Sequence, residues 1–556
     1  MKHFCKFLTA LLLLSTIAMA ATTDLNKPRK VVTDASINAG ESVFWSKDTV
    51  YVMDGYVYVE EGAVLTIESG AVIKGLETPT NGKSVLVISR GAKLYAQGTA
   101  VEPIIFTTEH DSVALMDTPE AGDRVDYRTD RSLWGGVVLL GRAQLNVSTE
   151  KVVEGLPDDP RAYYGGNDDA DNSGVLRYVS IRYTGITVEA NKELQGLTCG
   201  CVGSGTVIEY VESFMSGDDG FEFFGGTFNS KYLAAVFADD DAFDYDQGYR
   251  GKGQFWFALQ APDKGDKLGE YDSGDEGAYT ATPLAQPMLY NVTYIGGGAS
   301  STEGEGIKYK EYGGGEHYNS IFTEMRKECV VVDSGAGETS YNRLGTGIKL
   351  ENNLWFKSAG VGFDNATFLP QAFMKTYLES NSNWAEDPML RAVGRLEANS
   401  LDPRPAVNSP AMTRALKSYP SDGFFTAVNY MGAFGQENWL SGWTALSHNG
   451  VATTNAQPSA IDDLPTRWNG KTSLSANYPN PFNPTTRIQF SLNQAGRVEL
   501  NVYNMMGQKV KTLVNATKSA GTYTVEFDGA GLPSGVYFYQ LTTPETSLNN
   551  KMMLLK

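Results

Sequence analysis

The stretch FADDDAFDYDQG, residues 237–248, places five aspartates in the eight positions from Asp239 to Asp246, interleaved with aromatic residues. Carboxylates at this density can do three things. Two of them flanking a glycosidic bond act as acid and base or nucleophile. Several converging on one point hold a hard cation such as calcium, which takes about six to eight oxygen ligands. Turned toward water, they do no more than solvate a loop.

The same pattern stands 22 residues earlier. SGDDGFEFFGG (216–226) lies over ADDDAFDYDQG (238–248), so that Asp218 meets Asp240, Asp219 meets Asp241, Phe221 meets Phe243, Glu222 meets Asp244 and Phe223 meets Tyr245. If the two copies are stacked strands about 4.8 Å apart, three pairs of carboxylates face one another beside apolar rings. Such pairs cannot all stay ionised cheaply: a proton is retained at a raised pKa, or a cation sits between them. The expectation is a calcium site built by stacking from Asp218, Asp219, Glu222, Asp240, Asp241, Asp244 and Asp246. It is not an EF-hand, because Asp244 stands where that loop, opened at Asp239, needs glycine.

Stacking requires a repeat, and the chain has one. LRYVSIRYTG (176), IEYVESFMSG (208), SKYLAAVFAD (230), GQFWFALQAP (253), MLYNVTYIGG (288), EHYNSIFTEM (316) and LENNLWFKSA (350) align without gaps, and the third position is Tyr178, Tyr210, Tyr232, Phe255, Tyr290 or Tyr318 in all but the last. Alternating strands that recur with glycine-rich connections and no helical pattern between them predict an all-β chain, a right-handed parallel β-helix of about ten coils. A β-sandwich array is the alternative, disfavoured by the lack of hairpin turn signals. The aromatic position then becomes a column that packs coil on coil.

Other candidates have plainer readings. Asp168, Asp169 and Asp171 in GGNDDADNSG could ligate calcium or form an exposed turn, and EYDSGDEG (270–277) reads as a solvated loop in an insertion. Cys199 and Cys201, two apart, would share one strand face as core residues, and with Cys329 they leave an odd number of cysteines after residue 20, so disulfides are not the framework. NVS at Asn146 matches a glycosylation sequon. No phosphate loop, nucleophile elbow or zinc motif is present.

Charge and composition divide the chain. Lys2 and Lys6 precede an apolar run and AMA at 18–20, the pattern of a signal peptide over 1–20, and no later run is long enough for a transmembrane segment. From 470 onward eight basic residues face four acidic ones. With the two leader lysines also set aside, 21–469 carries −25 within a total of −19. An acidic body argues against a nucleic-acid partner. The expected organisation is a β-helix over 21–446, a linker rich in Asn, Thr, Ser, Ala and Pro over 447–473, and a small immunoglobulin-like sandwich of about seven strands over 474–556.

Three resemblances follow from particular strings. VYVEEGAVLTIESGAVIKG (57–75), WGGVVLLGRAQLN (134–146), YGGNDDADNSGVLRYVSIRYTG (164–185) and GAFGQENWLSGWTAL (432–446) resemble a family of secreted bacterial β-helix proteins, which implies the fold and an extracellular address but no reaction. SGDDG looks like the paired-aspartate motif of polygalacturonase-type enzymes. Their Gly-His-Gly element is missing around His110, His317 and His448, and GIKYK (306–310) only loosely echoes their Arg-Ile-Lys. The C-terminal strings YPNPFNPTT (478–486), VYNMMGQKV (502–510), LPSGVYFYQL (532–541) and KMMLLK (551–556) resemble the type IX secretion sorting domain. That resemblance implies recognition by an outer-membrane translocon, cleavage by a sortase and attachment to surface lipopolysaccharide. The resulting expectation is a secreted, surface-displayed, non-catalytic β-helix, adhesive, glycan-binding or structural. The alternative is a calcium-dependent polysaccharide lyase or glycoside hydrolase acting through the same carboxylates.

Overall fold

Val207–Phe214 pairs in parallel with Gly174–Arg182 on one side and Asn229–Val236 on the other, and on the second side each partner lies 22 residues on. Phe221–Phe224 pairs in the same way with Phe243–Asp246. The 22-residue offset is therefore one coil. Repeated along the body, these pairings give an 18-strand sheet and a nine-strand sheet of parallel strands, a parallel β-helix. The computed structural model describes residues 27–554 except 81, 114–123, 190–191, 276, 302, 336, 338, 358–361, 454–471, 475–476, 478–481, 483, 493, 495 and 519–520. The expected leader and most of the expected linker lie outside the described residues.

The longer strands are bent by one left-handed residue. Tyr178, Tyr210, Tyr232 and Phe255 have φ of 50°, 55°, 58° and 61°, a conformation that costs a non-glycine residue about 1–2 kcal/mol. Stacking offsets it: ring centroids are 4.3 Å apart for Tyr178–Tyr210, 4.2 Å for Tyr210–Tyr232 and 4.9 Å for Tyr232–Phe255, and such pairs contribute about 0.5–1.5 kcal/mol each. The gapless alignment fails beyond Phe255. Tyr290 pairs with Gln254, and Glu351 pairs with Tyr318, a slip of one residue at each of two coils. The left-handed position passes instead to Asn291, Asn319 and Asn352, with φ of 55°, 55° and 57°. What repeats is the backbone bend, which asparagine accepts readily, rather than the aromatic ring.

Inward side chains fill the bore with a second aromatic series. Phe221 stacks on Phe243 at 5.2 Å, Phe243 on Trp256 at 4.7 Å, and Phe322 on Trp355 at 4.1 Å. Met374 and Leu378 of the helix Ala372–Ser380 join this core together with Phe363 and Phe368. A strand-only reading of the body had not anticipated that helix. Cys199 lies in this core, whereas Cys201 belongs to a separate cluster with Tyr164 and Phe224. The two do not share a face, because Cys201 is itself left-handed (φ 47°) and ends the alternation. All three described cysteines are free.

Beyond Leu401–Pro405 the chain runs back along the outside of the solenoid as a strap. Asn352 donates to the carbonyl of Ala415. Asn319 accepts from Lys417 N and donates to Lys417 O, and Asn291 donates to Tyr430 O. Gln254 does the same at both polar groups of Thr426. Further along, Trp439 and Trp443 meet Tyr178, Tyr210 and Tyr232 edge-on. Segment 432–446 is therefore an outer cover and not a coil, and body packing continues through Val451 and Ala452.

The chain forms two compact units, divided at about residue 456. In the second unit an antiparallel three-strand sheet and an antiparallel four-strand sheet share one core that includes Phe490, Val502, Phe527, Tyr539 and Leu554. Among the described residues no helix is long and apolar enough to cross a membrane.

Candidate cation site in a stacked carboxylate column

The acidic turns 216–220 and 239–242 each deliver the chain into a short strand of the nine-strand sheet, and the observed register is Phe221 with Phe243, Glu222 with Asp244, Phe223 with Tyr245 and Phe224 with Asp246. Alternation sends Phe221, Phe223, Phe243 and Tyr245 into the bore and leaves the acids on the other face. Asp219 and Asp241 are buried, and each accepts a backbone N–H from the coil that follows: Asp241 N to Asp219 Oδ1 at 2.8 Å, and Lys267 N to Asp241 Oδ1 at 2.7 Å. They staple one rung to the next. Asp239, the first acid of the cluster, stands apart, held by Arg131 at 2.8 Å and Lys264 at 3.1 Å.

The column is longer than two rungs. Asp244 pairs with Glu270 and Tyr245 with Tyr271, so the segment 270–277, expected to be a solvated loop, begins in a buried strand, Lys267–Tyr271, whose Glu270 and following Asp272 extend the acids, and becomes an exposed loop only toward Gly277. On the next rung Glu270 pairs with Lys308 and Tyr271 with Tyr309. The strings EFF, DYD, EYD and KYK, at 222, 244, 270 and 308, are thus four consecutive rungs in which acid gives way to lysine.

The lysines divide the column electrostatically. Lys267, itself buried, lies 2.9 Å from Glu270 and 3.8 Å from Asp241 and also contacts Asp266. Lys310 bridges Glu270 and Asp272. Burial opposes ionisation of Glu270, but Lys310 and Lys267 outweigh it and hold its pKa below the ordinary value. Among the described residues no lysine forms an ion pair with Asp218, Asp219, Glu222, Asp244 or Asp246; Lys151 acts on Glu222 and Asp246 only at longer range and does not outweigh burial. Burial and then the charge of Asp240 push Asp218 up to about 7. Burial, with neighbouring carboxylates adding to it, raises Asp219, Glu222, Asp244 and Asp246 well above the ordinary range. Asp272, at the edge of the lysine zone, rises by burial to about 8. Glu222 Oε2, Asp244 Oδ1 and Asp246 Oδ1 are buried oxygens with no hydrogen-bond partner among the described residues, an expensive arrangement unless a proton or a metal ion satisfies them.

Four overlapping trios bring one oxygen from each member within 4.8 Å of the others: Asp218–Asp219–Asp240, Asp219–Glu222–Asp244, Asp240–Asp241–Asp266 and Asp241–Asp244–Glu270. Oxygen-only donors of this number suit a hard cation. Lys267 already serves the last two trios, so the first two, sharing Asp219, are the ones a cation fits. Six of the seven residues expected to form the site are in the trios. Asp246 stands two residues beyond Asp244 on the same strand, where Asp272, Lys151 and Asp275 are its charged neighbours. Asp266, Glu270 and the lysines were missed. The coil that carries them is 26 residues long instead of 22, and laying DYDQG (244–248) over EYDSG (270–274) at that spacing would have found them.

The remaining candidates have structural partners. Asp169 takes both of its oxygens to Arg250 Nη2 at 2.6 Å, and Asp168 accepts from Ala170 N. His110 pairs with Glu77, His317 bonds Tyr309 inside the bore, and His448 meets Arg182 under the strap. The Asn146 amide is buried and donates to Ser273 O, a position closed to glycosylation.

Against known families, residues 36–383 match the pectate-lyase-like β-helix domain, and residues 476–555 match the secretion-system C-terminal sorting domain. No curated protein matches the chain. Among solved structures, the enzymatically active domain of tailspike protein 2 of bacteriophage CBA120 aligns over 92% of this chain and 72% of its own, at 8% identity and a TM-score of 0.27.

Proposed function

The chain belongs to the pectate-lyase-like β-helix family, and from that premise we propose that it is a non-catalytic surface solenoid, adhesive, glycan-binding or structural, stiffened by calcium in its carboxylate column. Its C-terminal domain is a secretion sorting domain, which directs export across the outer membrane. The seven described strands of that domain, in sheets of three and four, are in keeping with an immunoglobulin-like sandwich. Recognition by the type IX translocon, removal by its sortase and attachment of the body to surface lipopolysaccharide complete this reading.

The observation that carries the calcium assignment is the contrast within one column. Where Lys267 and Lys310 stand, the carboxylates are neutralised by the protein itself; among the described residues no lysine forms an ion pair with Asp218, Asp219 or Glu222, and Glu222 Oε2 is left unpartnered. The staples from Asp219 and Asp241 to the next coil favour a structural role for the same residues. The test is the melting temperature of the full chain, stripped with chelator and titrated with calcium, beside Asp218→Asn/Asp240→Asn. Binding to the native state alone stabilises by about 2.7 kcal/mol at a hundredfold excess over Kd. A wild-type midpoint that does not move, or a variant that responds as the wild type does, refutes the assignment.

A second reading has one observation in its favour. Asp218, half-buried and pushed up to about 7 by burial and the charge of Asp240, stands beside Asp240, and two adjacent carboxyls, one of them holding a proton, are the groups glycoside hydrolysis uses. Depolymerisation of plant or algal polysaccharides by wild type and its loss in Asp218→Asn would support an enzyme. An Asp218→Asn variant as active as wild type would exclude this pair.

A further inference from the structure

The sorting domain exposes large apolar side chains, and they are not scattered. Met505 and Met506 are 74% and 79% exposed, Phe538 42% and Met553 40%. Strand register places them together. Tyr503 pairs with Phe538, and Val536 pairs with Met553 on the neighbouring strand. Alternation turns Tyr537, Tyr539, Met552 and Leu554 into the core, so Val536, Phe538 and Met553 face outward on one side of the four-strand sheet. Met505 and Met506 form the turn that follows Tyr503.

That turn is rigidly built. Asn504 Oδ1 accepts from Met506 N and Gln508 N, Asn504 Nδ2 donates to Gln508 Oε1, and Gly507 takes the left-handed conformation that closes the loop (φ 75°). Two methionines are therefore held at the tip of a fixed hairpin, where their flexible, polarisable side chains suit a binding surface. Lys509 lies across the strands from Tyr503 and Lys551 from Phe538. The face is apolar with cationic residues at its rim, in a domain of positive net charge attached to a strongly acidic body.

We propose that this face, the Met505–Met506 tip with Phe538 and Met553, is where the sorting domain docks the export apparatus, on a protein component that offers an apolar groove with an acidic border. The inference rests on the reading of 476–555 as the export signal. A domain whose role is to be recognised must present its recognition surface to solvent, and this is the large apolar one among its described residues. Clusters of exposed apolar side chains mark interaction sites, and the lysines fix the charge expected of the partner.

The experiment follows the full chain in a bacterium that carries the type IX system, comparing surface-borne with periplasmic protein. Met505→Gln/Met506→Gln, Phe538→Gln and, separately, Lys509→Glu/Lys551→Glu are each expected to lower surface-borne protein about tenfold or more, the scale of losing a central binding residue. Melting temperature should be unchanged, and Thr517→Gln, an exposed polar site, should be exported normally. The tip variant touches no core residue, so it reports docking even if Phe538→Gln destabilises the domain. Deletion of 474–556 separates the two readings. If the deletion abolishes export while the tip and lysine variants are exported normally, this face is not the docking site. If the deletion is itself exported, the sorting assignment fails first. If the variants instead alter self-association by light scattering and leave export intact, the face is a contact between copies and the proposal is overturned.

Discussion

Replacing Lys267 by methionine removes the cation that the protein has built into its own carboxylate column and keeps the apolar length of the stem. At an effective dielectric of about 20, the contacts at 2.9 Å to Glu270 and 3.8 Å to Asp241 correspond to roughly 6 and 4 kcal/mol of gross attraction. Desolvation of the buried ammonium cancels much of this. The net cost of stripping one partner from a buried ionic cluster is about 3–5 kcal/mol. Spread over a body of about 430 residues, for which the unfolding entropy near the midpoint is about 0.9 kcal/mol/K, that is a fall in Tm of about 3–6 °C. The sign with pH follows from the carboxylates. Without Lys267 the folded-state pKa of Glu270 and Asp241 rises, so the native variant holds protons that the unfolded chain, titrating near pH 4, has released. Stability then falls as pH rises through that window. Calorimetry in chelator should show the deficit small at pH 4 and full at pH 8. An equal deficit at both values would refute the electrostatic account and assign the effect to packing.

In wild type without calcium, Asp218 and Asp272, raised to about 7 and about 8, and their neighbours should make stability greatest near pH 4 and decreasing toward pH 8. Calcium should flatten that slope, and urea titrations at both pH values would detect it. Asn319→Leu deletes both bonds to Lys417, which are half-buried and together worth about 1–2 kcal/mol, so trypsin should cut the strap at Arg414 or Lys417 about tenfold faster than in wild type. Phe243→Ala removes a ring stacked on both Phe221 and Trp256 and should cost about 3–5 kcal/mol, read as a lower denaturant midpoint.

The solenoid was legible because its period is written in residues that must alternate. The 22-residue offset between SGDDGFEFF and ADDDAFDYD sets Glu222 on Asp244, which is the observed register. Legibility failed where coil length changed. The coil that ends on Glu270 is four residues longer, and that insertion hid an obvious likeness between DYDQG and EYDSG. The aromatic repeat misled for a physical reason: the constraint at Tyr210 and at Asn319 is a positive φ, which rings and amides both fulfil, so an alignment by ring shifted by one. The strap was invisible because its partners are backbone groups, and side-chain amides at Asn291, Asn319 and Gln254 bind any sequence that offers a peptide.

The strap also decides how the body bears load. Its attachments pass from Asn352 with Ala415 to Gln254 with Thr426, return to Asn319 with Gly432, and then run back to Glu212 with Ala445 and Arg182 with His448, so a pull on residue 453 is applied beside the middle rungs and not at the terminal one. Force entering there meets first the pairing of Val451–Thr453 with Leu401, then the buried Glu212 and Arg182 contacts, and reaches the amide clamps only after these yield. Any tether on this side of the body would behave as a row of breakable links, releasing chain length in steps while the stacked coils stay intact.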